Sequence, residues 1–317
     1  MAVPTNTFQR HQAIGTREDL ADVIYDVSPA ETPFMSNVGK SKASNTLHEW
    51  QTDALASAAT NKQVEGDDAT NTAVTPTVRI GNYCQILSKT CQTSGTLEAI
   101  DAAGRKGEMA YQMARRAKEL KLDLEYALVR NGASAAGNAS TARAMGGLES
   151  GLSTNKSVGS SGAQTAISGA AWTAPTDGTQ RTFTEALVKA VVKDMWSNGG
   201  DPKVMMVGPV SKQNASGFSG IAANRYMVGG AEPGKIIGAA DVYVSDFGET
   251  AIVPSRIQRD RTALIVDPEF AAVAFLRDFS VSDLAKTGDS ERKQITCEAT
   301  LELKNEKAHG KVADLTV

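Results

Sequence analysis

The sequence predicts an α+β fold in which one α+β domain carries a smaller α/β unit as an insertion. Three observations carry this. Near the end of the chain Ile295, Cys297, Ala299, Leu301 and Leu303 alternate with Thr296, Glu298, Thr300 and Glu302. That is the period of two expected of a strand with one face buried and one solvated. Residues 96–131 carry instead the three- and four-residue apolar spacing of a long helix. Between these two stretches, residues 181–261 alternate helix-like and strand-like patterns over a span that can close on itself.

The first 45 residues read as a polar arm. Thr16 can cap a short helix with Glu18 and Asp19 in its first turn and Leu20, Val23, Ile24 and Val27 on one face, stopped by Ser28-Pro29 and Thr32-Pro33. Phe8, Phe34 and Met35 are isolated apolar anchors that cannot form a core among themselves. Residues 46–90 read as a long antiparallel hairpin. One strand, 46–53, contains Trp50; in the other, 76–90, Val78, Ile80, Cys84 and Ile86 alternate with Arg79, Gly81, Tyr83 and Gln85, apart from Asn82. The connection at 54–75 holds Lys62, Asp67 and Asp68 but only Leu55, Val64 and Val74 as larger aliphatics. It exceeds the ~12–15 residues expected of a structureless loop in a compact domain. A two-stranded hairpin is marginal by itself in water, so either the rest of the chain or a neighbouring subunit must supply a surface for it.

Residues 106–131 would form a helix about 39 Å long at ~1.5 Å per residue, divided from the preceding turn by Gly104 and Gly107. Met113, Ala117, Leu120, Leu124 and Leu128 form its apolar face, and Arg115/Glu119 and Lys121/Glu125 are expected as exposed pairs. Residues 132–180, rich in Gly, Ala, Ser and Thr, read as an irregular connection with a hairpin. Thr182-Phe183-Thr184-Glu185 matches a capping box ahead of Leu187, Val188, Val191, Val192, Met195 and Trp196, and Asn198-Gly199-Gly200 ends that helix. A short buried strand at 203–207, a helix opened by Pro209, and strands at 242–245 and 251–253 around Phe247-Gly248 complete the inserted unit. The tail returns to extended structure at 263–267, 271–276 and 293–304.

Composition excludes several functions. Lys and Arg number 33 against 36 Asp and Glu, a net charge of -3, which argues against the clustered cations that grip nucleic acid. No apolar run approaches the ~20 residues that span a bilayer, and the chain is expected to be soluble and cytoplasmic, without a membrane partner. Cys84, Cys91 and Cys297 form no C-x-x-C pair, and His11, His48 and His309 are too scattered to ligate a metal together. Gly229, Gly234 and Lys235 imitate a phosphate loop, but Ile236 stands where a Ser or Thr would hold magnesium. No nucleophile elbow or dinucleotide fingerprint occurs, the Asp67/Asp68 pair lies in a polar loop, and three glycosylation sequons lack a secretion signal. Neither catalysis nor a cofactor is expected, and weight moves to a structural or assembly role.

Several phrases occur together: Ala13-Ile14-Gly15-Thr16-Arg17-Glu18-Asp19-Leu20, Thr32-Pro33-Phe34-Met35, Thr46-Leu47-His48-Glu49-Trp50-Gln51 and Glu65-Gly66-Asp67-Asp68, with Leu284-Ala285-Lys286-Thr287-Gly288-Asp289-Ser290-Glu291 and Lys304-Asn305-Glu306-Lys307-Ala308-His309-Gly310 near the end. With them the chain resembles the major capsid (head) proteins of tailed bacteriophages, in the subgroup related to the major head protein of phage SU-ten, of the Hong Kong 97-type fold. The resemblance covers essentially the whole length. It implies an N-terminal arm (1–45), an extended hairpin reaching across a neighbour (46–90), a peripheral domain with a spine helix (91–180 and 262–317) and an axial domain (181–261) around which hexamers and pentamers close. It further implies a shell enclosing double-stranded DNA without sequence-specific binding, with portal, scaffold and decoration proteins as partners. Trp50, Tyr83 and Ile86 would be anchors on the adjacent subunit, with Phe8, Lys62, Asp67 and Asp68 as further contacts. Some relatives weld their shells by a lysine–asparagine isopeptide bond, but no acceptor and acid pair maps onto this chain. The alternatives are a bacterial nanocompartment shell of the same fold, a tail or baseplate component, and an enzyme whose site is gathered from dispersed residues.

Overall fold

The computed structural model describes residues 31–68, 71, 73–100, 104–218 and 241–316. The helix expected at 16–27, Phe8, and Gly229, Gly234 and Lys235 lie outside the described residues. In chain order the elements are α1 (Pro33–Asn37), β1 (Gly39–Lys42), β2 (Leu47–Thr52), β3 (Val78–Tyr83), β4 (Gln85–Ser94), α2 (Gly95–Ala99), α3 (Glu108–Val129), α4 (Leu148–Gly151) and β5 (Lys156–Ser157). They continue with α5 (Glu185–Ser197), β6 (Val204–Val207), α6 (Pro209–Ser216), β7 (Val242–Ser245), β8 (Gly248–Pro254), β9 (Ala263–Val266), β10 (Ala271–Asp283), β11 (Ser290–Leu303) and β12 (Gly310–Val312). One sheet has the order β1-β10-β11-β4, a second β5-β12-β9-β6-β8-β7, and β2 pairs with β3 alone.

Helix α3 is the expected spine, built from the Ala, Leu, Glu, Lys and Arg that favour helix. Leu120, Leu124 and Leu128 bury fully in one core with Ile295, Cys297, Leu301 and Leu303 of β11 and with Trp172. The helix stops at Arg130, where the chain turns extended. Gly147 passes so close there that a Cβ would lie 1.9 Å from the Arg130 carbonyl oxygen, so this backbone approach requires glycine.

Glu125 departs from its expected exposed pairing with Lys121. It is fully buried, and its carboxylate accepts hydrogen bonds from the Phe34 amide at 2.6 Å and the Met35 amide at 3.0 Å. Helix α1 lies across α3 at this point, and its first amides have no acceptor within their own helix. Glu125 supplies an acceptor to each of the two and so docks α1 on α3. Burial raises its pKa above the ordinary range, and the two amide bonds oppose that rise.

Strand β11 also departs from expectation, because both of its faces are covered. Glu298 and Thr300, predicted to be solvated, are buried. Glu298 pairs with Arg143 and, at 2.8 Å, with Arg277. Arg143 comes from the irregular 132–180 segment, which folds over this face beside a small cluster of Ala43, Cys84 and Ala274. A buried carboxylate has to be paired in this way.

The second strand expected at 76–90 is two strands. β3 pairs with β2 from Leu47↔Tyr83 to Thr52↔Val78, whereas β4 leaves the hairpin and pairs with β11 from Gln85↔Ala299 to Ser94↔Ser290. The break falls at Cys84, just past Tyr83 and the residue that interrupts the alternation, Asn82. Its side chain is buried, donating to the carbonyls of Gly146 and Leu301 at 3.0 Å each and accepting from the amides of Gly146 and Tyr83 at 2.8 and 3.0 Å.

The second sheet is not confined to 181–261. β6 is buried along its whole length and requires partners on both edges. β8 runs parallel to it on one side, and β9 antiparallel on the other. β9 then pairs with β12, so that residues assigned to the other domain complete this sheet. Val188, Val191, Val192 and Met195 of α5 cover it. Helix α5 begins at Glu185 behind Thr184 rather than by a capping box from Thr182; Glu185 instead accepts from Tyr243 Oη at 3.2 Å and pairs with Lys189 at 3.0 Å.

A buried ionic network ties the 132–180 segment to the end of the chain. Lys311, fully buried, donates to the Glu149 carbonyl and to Gln164 Oε1, each at 2.8 Å. Glu149 pairs with Arg259 at 2.9 Å, Arg259 with Asp177 at 2.5 Å, and Arg261 with Asp314 at 3.1 Å. Burial pushes the Lys311 ammonium down to about 8 and the Glu149 carboxyl up. Replacing Glu125 by alanine should cost about 2 kcal/mol, since two amides lose their acceptor. Lys121→Ala should change stability by less than ~0.5 kcal/mol, and urea unfolding of the two variants measures both.

Candidate assembly surfaces

The hairpin β2–β3 is the first candidate surface. Its base is held to the body by three devices. The Gly81 amide donates to the Gly169 carbonyl at 3.1 Å, Trp172 Nε1 donates to the Gly81 carbonyl at 2.8 Å, and Glu302 Oε2 accepts from Ser41 Oγ at 2.5 Å and His48 Nε2 at 3.3 Å. The His48 bond, followed by that of Ser41, holds the Glu302 carboxyl below the usual carboxylate range. Beyond Thr52 the chain leaves this support. Leu55, Val64 and Val74 are 99%, 77% and 92% exposed, and the described part of the segment contains a small turn in which the Asp67 amide donates to the Val64 carbonyl around Gly66 at φ +83°. Exposing three aliphatics on one extended loop removes the driving force that burial would supply, which makes the loop a candidate to dock elsewhere.

The sequence-predicted contact residues divide between two environments. Lys62, Asp67 and Asp68 are exposed on the loop. Ile86 is 50% exposed on β4, opposite Glu298 and on the face away from the spine helix. Trp50 and Tyr83 are half-buried, and Trp50 rests against its own chain's main core, its ring 5.8 Å from that of His48. The Trp50 Nε1 atom is buried without a hydrogen-bond partner among the described residues. The three cysteines are free; Cys84 and Cys297 are buried, with thiols pushed up to about 11 and about 12 by burial. Among the described residues, no group of three or more His, Cys, Asp or Glu side chains is placed to hold a metal ion.

A second candidate surface was not legible as such. Trp196, placed by its spacing on the buried face of α5, is 57% exposed and packs on Phe247 with ring centroids 5.0 Å apart. Val242 and Val244 are exposed on β7, the last strand of its sheet. His48 and Glu302 were likewise missed as a pair, since 254 residues separate them and only folding brings them together. Asn82 could have been found, because it breaks an otherwise regular alternation.

A hairpin, a spine helix crossed by a four-stranded mixed sheet, and a second sheet bearing its own helices make up a fold of the Hong Kong 97 type. Solved structures support this fold. The capsid of cyanophage A-1(L) superposes with a TM-score of 0.67 at 11% identity, covering 98% of this chain and 99% of that one. A structure from Gordonia phage Cozz gives 0.62 at 8% identity, covering 99% and 97%, and the capsid of a native GTA particle 0.61 at 11%, covering 97% and 98%. A family model described as SU10 major capsid protein matches residues 3–316, and the chain belongs to that family. The major capsid protein of Escherichia phage Phieco32 is 40% identical over 130 residues, a match spanning 41% of this chain and 37% of that protein. The chain is a major capsid protein of a tailed phage, a structural component of the virion shell.

The Glu302 contact sets a pH dependence for the hairpin base. Because its carboxyl lies below the ordinary value of 4.5 in the folded chain, the contact is complete above that value and is lost as pH falls through the lowered one. Protection factors of the β2–β3 amides, corrected for the intrinsic pH dependence of exchange, should therefore fall on acidification below about pH 4.5, and Glu302→Gln should remove most of that fall.

Proposed function

We propose that copies of this chain assemble through hexamers and pentamers into the closed icosahedral head of a tailed bacteriophage, enclosing its packaged double-stranded DNA. The observation that carries this reading is the family match over nearly the entire chain. The chain's chemistry supports it. A loop that exposes Leu55, Val64 and Val74 and is anchored only at its base gains stability by lying on a neighbouring copy, and repeated contacts of that kind close by symmetry. Lys62, Asp67 and Asp68 would contribute polar contacts there, Ile86 an apolar one, and Trp50 and Tyr83 would stiffen the hairpin's root while touching the neighbour. Phe8 of the arm belongs to the same set of contacts.

The domain plan follows the same reading: an arm at 1–45, a hairpin at 46–90, a peripheral domain from 91–180 and 262–317, and an axial domain at 181–261 that borrows β9 and β12 for its sheet. The exposed edge at Val242 and Val244 supports contact between copies at the axial domain, since an uncovered apolar strand edge is an aggregation liability. A net charge of -3 suits a container that holds DNA without gripping particular sequences. Portal, scaffold and decoration proteins would be partners, synthesis would occur in the host cytoplasm, and the chain would act without catalysis or cofactor. The family match favours a phage head over a nanocompartment shell.

Deleting residues 54–75 and closing the hairpin with an Asn-Gly turn should leave a soluble, folded subunit, because the described part of that loop contributes nothing to the core. Shells should be lost, as read by sedimentation velocity and negative-stain electron microscopy. Normal shell yield from the shortened chain would overturn the docking role of the loop.

A further inference from the structure

Three sulfur atoms converge where β4 meets α3. Cys91 Sγ lies 3.0 Å from Met113 Sδ and 3.3 Å from Met109 Sδ. The two methionines stand four residues apart on one helix face, and Cys91 faces them from the strand. Met109 is buried, whereas Cys91 and Met113 are partly exposed, so the group is reachable from solvent. Cys91 differs in this from Cys84 and Cys297, which are sealed in the core. Its thiol is raised by burial, but Arg116 and Lys293 act in the opposite sense and favour the thiolate.

We propose that Cys91, Met109 and Met113 bind one soft monovalent cation, of the copper(I) class, that clips strand β4 to the spine helix. One thiolate and two thioethers make an all-sulfur donor set, which selects soft ions over the hard cations that carboxylates and carbonyls prefer. An ion held trigonally at about 2.3 Å from each sulfur needs them roughly 4 Å apart. Each contact must therefore open by only ~1 Å, which the flexible methionine side chains can absorb. Binding breaks the Cys91 S–H bond, releases the proton to water and forms a sulfur–metal bond, with no change in the oxidation state of either partner. Its affinity accordingly rises with pH.

The test uses the full chain, reduced and anaerobic, titrated with copper(I) against the chelator bathocuproine disulfonate. One copper(I) per chain should be withdrawn from the chelator. Cys91→Ser should weaken binding by more than about 100-fold and Met113→Leu, which conserves volume, by at least ~10-fold. Copper(I) should raise the thermal midpoint of the parent chain and of neither variant, and magnesium should leave it unchanged. Failure to compete with the chelator would overturn the proposal, as would unchanged affinity in either variant. Met113→Leu keeps the test decisive if Cys91→Ser does not fold.

Discussion

Strand β11 is the member on which the rest of the structure depends, because over residues 297–301 both of its faces are buried. Its odd-numbered residues meet the spine helix in the main core, while Glu298, Thr300 and Glu302 face the other way under the 132–180 segment and the hairpin root. A strand covered on both faces fixes everything that covers it. Spine helix, hairpin base and irregular segment share one support, and a shift in any of them is felt by the others through close packing. The two arginines on Glu298 belong to the same constraint: the layer above can be polar only because this carboxylate is matched.

The hairpin derives its directional character from this arrangement. Its root is tied to β11 through Asn82 and Glu302, yet its tip carries aliphatic side chains that nothing in the described chain covers. A rigid base with an unsatisfied tip is suited to reaching another copy in a defined direction. On the second sheet, Trp196, Val242 and Val244 likewise expose apolar surface among the described residues, with Trp196 resting on the half-buried Phe247. A monomer rarely keeps several such patches, and a shell subunit uses them.

Much of this was legible in the sequence, and what was missed has a common cause. The period of two at 295–303, the leucine ladder of α3 and the polar 54–75 loop are local patterns, and each maps onto an element of the expected type. Glu125 was misread because helical spacing says only that Lys121 is within reach, not that another helix will be laid over the site. Glu298 was misread because alternation reveals two faces without saying whether the second is covered. The sharing of β9 and β12 between parts of the chain, and the meeting of His48 with Glu302, depend on contacts between residues far apart in sequence, to which periodicity is blind. Asn82 is the exception: a polar residue interrupting a regular strand stands two residues before Cys84, where the chain changes sheets.

The central claim, that the loop beyond Thr52 is stabilised by a neighbouring copy, is tested most directly by hydrogen–deuterium exchange of residues 54–75 in dissociated subunits and in assembled shells. The account predicts rapid exchange in the free subunit and protection greater by at least about tenfold in the shell, with the β2–β3 root protected in both. Equal, rapid exchange of the loop in both states would contradict it.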